Sequence, residues 1–288
     1  MKNILLIALM LVVINACKQE PPPPNILFCI SDDQSWAHTS FAGARELNTP
    51  AFDQVAANGI YFENAYTAAP SCAPSRAAIL TGQDIYRLEE GGLLFGALPK
   101  KFPVFTHLLR ENGYEIGYTG KGYAPAKMDM ENYYQNPIGK DYDSIKNEAP
   151  PGIYNVDYAA NFKAFMQQKS DKPFFFWYGA IEPHRMYEQG IGQQNGIDSD
   201  QIKVPGFLPD SAAIRQDIAD YYFEIEWFDQ HLQRMLDYLE EQGELENTLV
   251  VVTSDNGMPF PRAKATLYEY GTHMPLAVSW PAKIPAGR

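Results

Sequence analysis

Cys72 sits in a run, Cys72-Ala73-Pro74-Ser75-Arg76, unlike the surroundings of a cysteine that only packs. A packing cysteine is a small hydrophobe among large apolar side chains; this one has small neighbours, a proline and a guanidinium. A second group is rich in oxygen, with Asp32-Asp33 early in the chain and Asp255-Asn256 late in it. Carboxylates and an amide carbonyl are the ligands of a hard divalent cation such as Ca2+ or Mg2+. No His or other Cys adjoins these positions, which argues against zinc. Either pair alone is weak evidence, because turns and helix caps use Asp constantly. Lys121 lies between Gly120 and Gly122, as in a close-packed turn. Lys264 lies two residues from Arg262, and either can supply a positive charge. His184, in Glu182-Pro183-His184-Arg185, offers a proton donor, since histidine is the side chain suited to proton transfer at neutral pH.

Groups this far apart in sequence need a fold that delivers them to one rim. Strand-like and helix-like segments alternate. Residues 25–31, 60–67, 114–119, 173–179, 248–253 and 275–280 read as strands; 49–58, 74–80, 104–112 and 156–168 read as helices. Pro50 suits the first position of its helix, and Gly59 its stop. Residues 211–242 read as one long helix or a pair, because Ile214, Ile218, Tyr221, Ile225, Phe228, Leu232, Met235 and Leu239 step by three and four. This alternation predicts an α/β fold with a mostly parallel central sheet flanked by helices. In such sheets ligands gather beyond the carboxyl ends of strands. Asp32-Asp33 and Asp255-Asn256 each follow a predicted strand. Residues 127–151 lack periodicity and read as a surface excursion. His107 and His231 fall in predicted helices and read as surface or packing residues. His38 reads as a loop residue, while His273 precedes the last strand beside the basic segment and is placed near the substrate.

The formal net charge of −12 argues against indiscriminate binding to nucleic acid or other polyanions, and it leaves room for a local cationic pocket for one small anion. Three cysteines, Cys17, Cys29 and Cys72, do not make a disulfide framework. Cys29 lies in an apolar run and reads as buried. Residues 1–17 read as an export signal, with Lys2 ahead of an apolar stretch too short to span a bilayer comfortably. Ile14-Asn15-Ala16-Cys17 resembles a bacterial lipobox, with Cys17 as the lipidation site. Residues 18–24, ending in four prolines, read as an extended tether. The expectation is an exported protein, periplasmic or anchored at the outer membrane, touching the membrane through its lipid alone.

The run from Cys72 through Arg76 to Leu80-Thr81-Gly82 resembles the signature of the formylglycine-dependent sulfatases. The resemblance covers the chain from about Asn25 onward, through Asn48-Thr49-Pro50 with Asp53, Gly120-Lys121-Gly122, Pro183-His184 and Thr253-Ser254-Asp255-Asn256-Gly257. Pro183-His184-Arg185, Pro259-Phe260-Pro261, Lys264 and Leu267-Tyr268 are most similar to the heparan N-sulfatase (sulfamidase) branch.

The resemblance implies an alkaline-phosphatase-like fold. It also implies oxidation of Cys72 to Cα-formylglycine by a formylglycine-generating enzyme, before folding. The hydrated aldehyde then supplies the nucleophilic oxygen. Asp32, Asp33, Asp255, Asn256 and residue 72 hold Ca2+ or Mg2+. Arg76, Lys121 and Lys264 stabilise the charge of the sulfuryl group. His184 protonates the leaving atom, and sulfate then departs by elimination as the aldehyde re-forms. Tyr123 stands where many sulfatases carry His; a phenol donates a hydrogen bond to a sulfate oxygen but cannot carry positive charge. Tyr123, Arg185, Arg262 and His273 are the further residues expected near substrate. The implied substrate is a sulfated glycan, with N-sulfoglucosamine of heparan-type chains ahead of an O-sulfated sugar. The family continues past such a last strand with more helices and a small sheet subdomain, so this chain is expected to lack that part. Two rivals remain open. A phosphatase or phosphodiesterase of the same superfamily would use Ser or Thr and usually two metals. A truncated lipoprotein would bind glycan without turnover.

Overall fold

The computed structural model describes residues 22–127 and 131–288. The expected export signal, Cys17 and residues 18–21 of the tether lie outside the described residues.

The strands are β1 (Asn25–Ser31), β2 (Ile60–Tyr61), β3 (Glu115–Gly120), β4 (Lys140–Asp141), β5 (Phe174–Gly179), β6 (Thr248–Ser254) and β7 (Leu276–Ser279). They form one sheet in the order β2-β7-β6-β1-β5-β3-β4. The central run β6-β1-β5-β3 is parallel, and β7 and β2 join it antiparallel at one edge. The sheet is therefore of the predicted, mostly parallel kind.

The helices are α1 (Pro50–Ala57), α2 (Cys72–Thr81), α3 (Phe105–Glu111), α4 (Tyr158–Gln168), α5 (Ile191–Gln194), α6 (Ala212–Glu241) and α7 (Glu269–Thr272). Strand β5 shows why both faces need cover, since all six of its residues are buried. Phe174, Phe176 and Tyr178 join Leu27, Cys29 and Val252 under α1, α4 and α6. Phe175 and Trp177 join Ile30 on the opposite face, with Ala73, Ala77 and Leu80 of α2. Cys29 is the packing cysteine its setting predicts.

The segment read as one helix or two is a single helix of 30 residues. Its predicted stripe from Ile218 to Leu239 is buried, and the Ser211 hydroxyl caps its start by accepting the Ile214 N–H. α6 also caps another helix. Thr49 makes no side-chain cap for α1, and Asp229 of α6 instead accepts the Ala51 and Phe52 N–H groups at 2.9 and 2.8 Å.

Two sequence readings are corrected. The strand expected over 60–67 is regular only at Ile60 and Tyr61; beyond them the chain stays beside residues 272–276 through separate bonds, Phe62 N–H to Leu276 O and Met274 N–H to Ala65 O, and an isolated Tyr66–His273 bridge. The helix expected from residue 74 begins two residues earlier, so that Cys72 is its first residue.

Candidate active site

Four parallel strands end at one level. Ser31 faces Ser254 in register, Ile30 faces Gly179, and Gly120 faces Gly179 from the other side. The residues just beyond these ends are Asp32-Asp33, Asp255-Asn256, the loop to His184, and Lys121. Backbone bonds lock the ends together: Asp255 N–H donates to Ser31 O at 3.2 Å and Asp32 N–H to Glu182 O at 3.0 Å. The turn at Lys121 needs Gly120. Gly120 has φ +73°, and a Cβ there would lie 2.2 Å from the Gly179 carbonyl oxygen. Asp33 also adopts a positive φ, 76°, a conformation more costly for a non-glycine residue and one that collects at functional sites.

Cys72 enters from α2. As the first helical residue it sits at the positive end of the helix, which favours an anion. Its S–H donates to Asp32 Oδ1 at 3.4 Å. Ligand atoms of Asp32, Asp33, Cys72 and Asp255 all lie within 4.8 Å of one another. Each of the three carboxylates carries one cation: Lys121 on Asp32, Lys264 on Asp33 at 2.6 Å, and Arg76 Nε on Asp255 at 2.8 Å. Burial works against all three cations, but contact with these carboxylates holds each above its ordinary value. The guanidinium of Arg76 also donates through Nη1 to the carbonyls of Lys121 and Gly122 at 2.8 and 2.9 Å. The loops from β1, β3 and β6 therefore meet at α2.

The donors fit a hard divalent cation. Asn256 Nδ2 donates to Asp33 at 2.7 Å, while its Oδ1 is buried with no hydrogen-bond partner. An oxygen in that state costs about 1–3 kcal/mol, and a cation beside three carboxylates would satisfy it. Only sulfur is out of place in this set. Burial, then the charges of Asp255 and Asp32, push the Cys72 thiol far above its ordinary range, with Lys121 opposing weakly. A neutral thiol is a poor nucleophile and a poor ligand for Ca2+ or Mg2+. Two buried donors, Arg76 Nη2 and the Tyr123 hydroxyl, likewise have no partner. The site has the hydrogen-bonding capacity for more oxygen than cysteine brings.

His184 follows the end of β5. Its Nδ1 lies 2.8 Å from the Arg185 carbonyl, which can only accept, so Nδ1 carries the proton and Nε2 faces Asp33 Oδ2 at 3.9 Å. The imidazole is part-exposed and lines a cleft of about 660 Å3 with Asp32, Cys72, Lys121, Tyr123 and Lys264.

The other expected substrate residues are placed differently. Arg185 makes a two-pronged pair with Asp217 of α6 and lies against Tyr187 and Phe260. Arg262 lies over the Tyr268 ring, so Lys264 is the member of that pair which reaches the carboxylates. His273 is stacked between Trp36 and Tyr66, with its nitrogens on Glu269 and the Glu63 carbonyl. His38 is buried against Tyr221, and His231 against Tyr158 and Trp227. Burial lowers His38 to about 3 and His231 to about 4, which suits packing. Leu94, Phe95, Gln135 and Asn136 also line the cleft, and nothing in their sequence marked them.

This arrangement agrees with comparisons to known proteins. Human (Homo sapiens) N-sulphoglucosamine sulphohydrolase is 30% identical over 305 residues, covering 94% of this chain and 58% of its own length. N-acetylgalactosamine-6-sulfatase of Canis lupus familiaris is 27% identical, covering 93% and 59%. This chain thus spans less than two thirds of the length of the curated relatives it matches. A solved structure described as a sulfatase from Bacteroides fragilis has the same fold, with a TM-score of 0.70, 21% identity and coverage of 93% of this chain and 70% of its own. A profile of the sulfatase family matches residues 24–288, the whole span that carries the strand ends, α2 and the cleft, and the chain belongs to that family.

Proposed function

We propose that this chain carries the catalytic centre of a sulfohydrolase that releases inorganic sulfate from a sulfated glycan. Our leading substrate is N-sulfoglucosamine in heparan-type chains. The observation that carries the reading is the seat of Cys72, at the start of α2 against Asp32 and Asp33, with three cations around it and the cleft in front. The support for the sugar is the 30% identity to a relative whose name specifies N-sulphoglucosamine.

In this reading a maturating enzyme converts Cys72 to formylglycine. The hydrated aldehyde would supply a nucleophilic oxygen, and Asp32, Asp33, Asp255 and Asn256 would hold a divalent ion, Ca2+ in this reading, that adds a fixed positive charge. The chain's own groups do the rest. Lys121 and Lys264 offset charge on the sulfuryl oxygens. Arg76 fixes Asp255 and keeps Nη2 free for an oxygen of residue 72. Tyr123, whose buried hydroxyl has no partner, donates to a sulfate oxygen. In its doubly protonated form, with Nδ1–H held on the Arg185 carbonyl, His184 delivers the second proton from Nε2 to the departing nitrogen or oxygen. Three carboxylates already matched by three protein cations suit one divalent ion better than the two of a phosphatase.

Export and a lipid anchor at Cys17 belong to the same proposal, and their support is the sequence of residues 1–24 alone. The test is a panel of N-sulfoglucosamine, O-sulfated hexosamines and a phosphate monoester, offered to protein co-expressed with a formylglycine-generating enzyme. Sulfate release greatest from N-sulfoglucosamine is expected. Release from O-sulfated sugars alone moves the substrate to that class, and phosphate release without sulfate release rejects the reading.

A further inference from the structure

Beside the cleft lies a second hollow of about 430 Å3, and Leu94 and Phe95 form a wall common to both. Its other walls include Glu90, Leu93, Lys127 and Tyr133. Resting on the glycan reading above, we infer that this hollow is a subsite for the pyranose ring next to the sulfated one.

The hollow is built in advance of any ligand. Residues 96–100 run beside Lys127 and residues 132–134, joined by Lys127 N–H to Gly96 O, Tyr134 N–H to Leu98 O and Lys100 N–H to Asn132 O, each at 3.0 Å. Pro99 and Tyr133 form an isolated antiparallel bridge between them. The turn that presents Phe95 is tight. A Cβ at Gly96 would lie 1.7 Å from the Glu90 carbonyl oxygen, so the loop takes this shape only with glycine there.

The lining matches a sugar ring. Leu93 and Phe95 are 60% and 63% exposed, large apolar groups left in water beside a polar catalytic cleft. A pyranose has a face of C–H bonds that stacks on an aromatic ring and an equator of hydroxyls. Glu90 supplies an acceptor and Lys127 a donor at the hollow's edge. The volume lies in the range of ligand pockets, and the shared wall places the two cavities side by side. A fatty chain would not use the two charged groups. A free peptide would not explain continuity with the cleft that holds Cys72.

The test uses the full chain with Cys72→Ala, so that binding is read without turnover or maturation. The probes are N-sulfoglucosamine and a disaccharide carrying N-sulfoglucosamine linked to one unsulfated hexose, each titrated calorimetrically. The disaccharide is expected to bind about tenfold more tightly. Adding Leu93→Ala or Tyr133→Ala should bring the disaccharide down to the monosaccharide's affinity and leave the monosaccharide unchanged, which also reports that each variant is folded. Equal affinity for the two probes in the parent, or an advantage that survives both substitutions, overturns the subsite while leaving the glycan reading intact. Failure of both probes to bind overturns the two together.

Discussion

Arg76 Nε lies 2.8 Å from Asp255 Oδ2, and both side chains are fully buried. The pair joins α2, which begins at Cys72, to the end of β6, which supplies Asp255 and Asn256. Losing one member of a buried pair leaves the other charge uncompensated, at a cost of about 3–5 kcal/mol. Arg76→Ala should lower unfolding stability by that order in urea with a chelator present. Arg76→Lys should fall between, because an ammonium keeps the charge but cannot also serve the carbonyls of Lys121 and Gly122. Unchanged stability in Arg76→Ala would remove the pair from the account.

Divalent metal should stabilise the protein. Asp32, Asp33 and Asp255 converge with a partnerless Asn256 Oδ1, and a cation binding only the folded chain adds stability by mass action, about 2.7 kcal/mol at a hundredfold excess over Kd. Thermal unfolding followed during Ca2+ and Mg2+ titration should show a rise in Tm, and Asn256→Ala should shrink it. A melting curve indifferent to both ions contradicts the metal site.

His184 should matter according to the leaving group. On a sugar sulfate or sulfamate, His184→Ala should slow turnover about 10²–10⁴-fold, the usual contribution of a positioned acid. On nitrophenyl sulfate, whose phenolate leaves without a proton, the loss should be far smaller. Equal losses on both substrates would assign His184 to binding rather than proton transfer.

Glu224 gives the pH prediction. Burial first, then the charges of Glu182 and Asp220, push its carboxyl up to about 10, with Arg185 opposing. Above its ordinary value of 4.5 the unfolded chain releases this proton while the folded chain keeps it. The folded state therefore binds more protons, so stability falls as pH rises from there to about 10, by about 1.4 kcal/mol per pH unit. Glu224→Gln removes that slope. Its stability relative to the parent should grow between pH 6 and pH 9 in urea unfolding. Parallel pH profiles for the two proteins reject the assignment.

Much of this could be read from residue order because the fold uses local rules. The apolar runs of β1 and β6 are each followed by an oxygen-bearing pair, Asp32-Asp33 and Asp255-Asn256, and parallel pairing of Ser31 with Ser254 brings those pairs to one rim. The spacing from Ile218 to Leu239 marked the buried face of α6. What escaped depends on distant partners. Arg185 follows a motif histidine, yet its guanidinium is paired with Asp217. His273 stands near the basic segment, but Trp36 and Tyr66 enclose it. The wall at Leu94 and Phe95 comes from a stretch without periodicity, shaped by the tight approach of Gly96 to Glu90. No pattern in a single sequence encodes that contact.

The central claim is that residue 72 works as an oxygen-bearing group made from cysteine. The direct measurement is sulfate release from N-sulfoglucosamine, paired with the mass of the peptide containing residue 72 in the same preparation. The account predicts release that scales with the fraction of peptide in which sulfur has been replaced by an aldehyde oxygen, and none from Cys72→Ala. Release from protein whose residue 72 is still cysteine, or no release from any sulfated sugar when the peptide is fully converted, would contradict it.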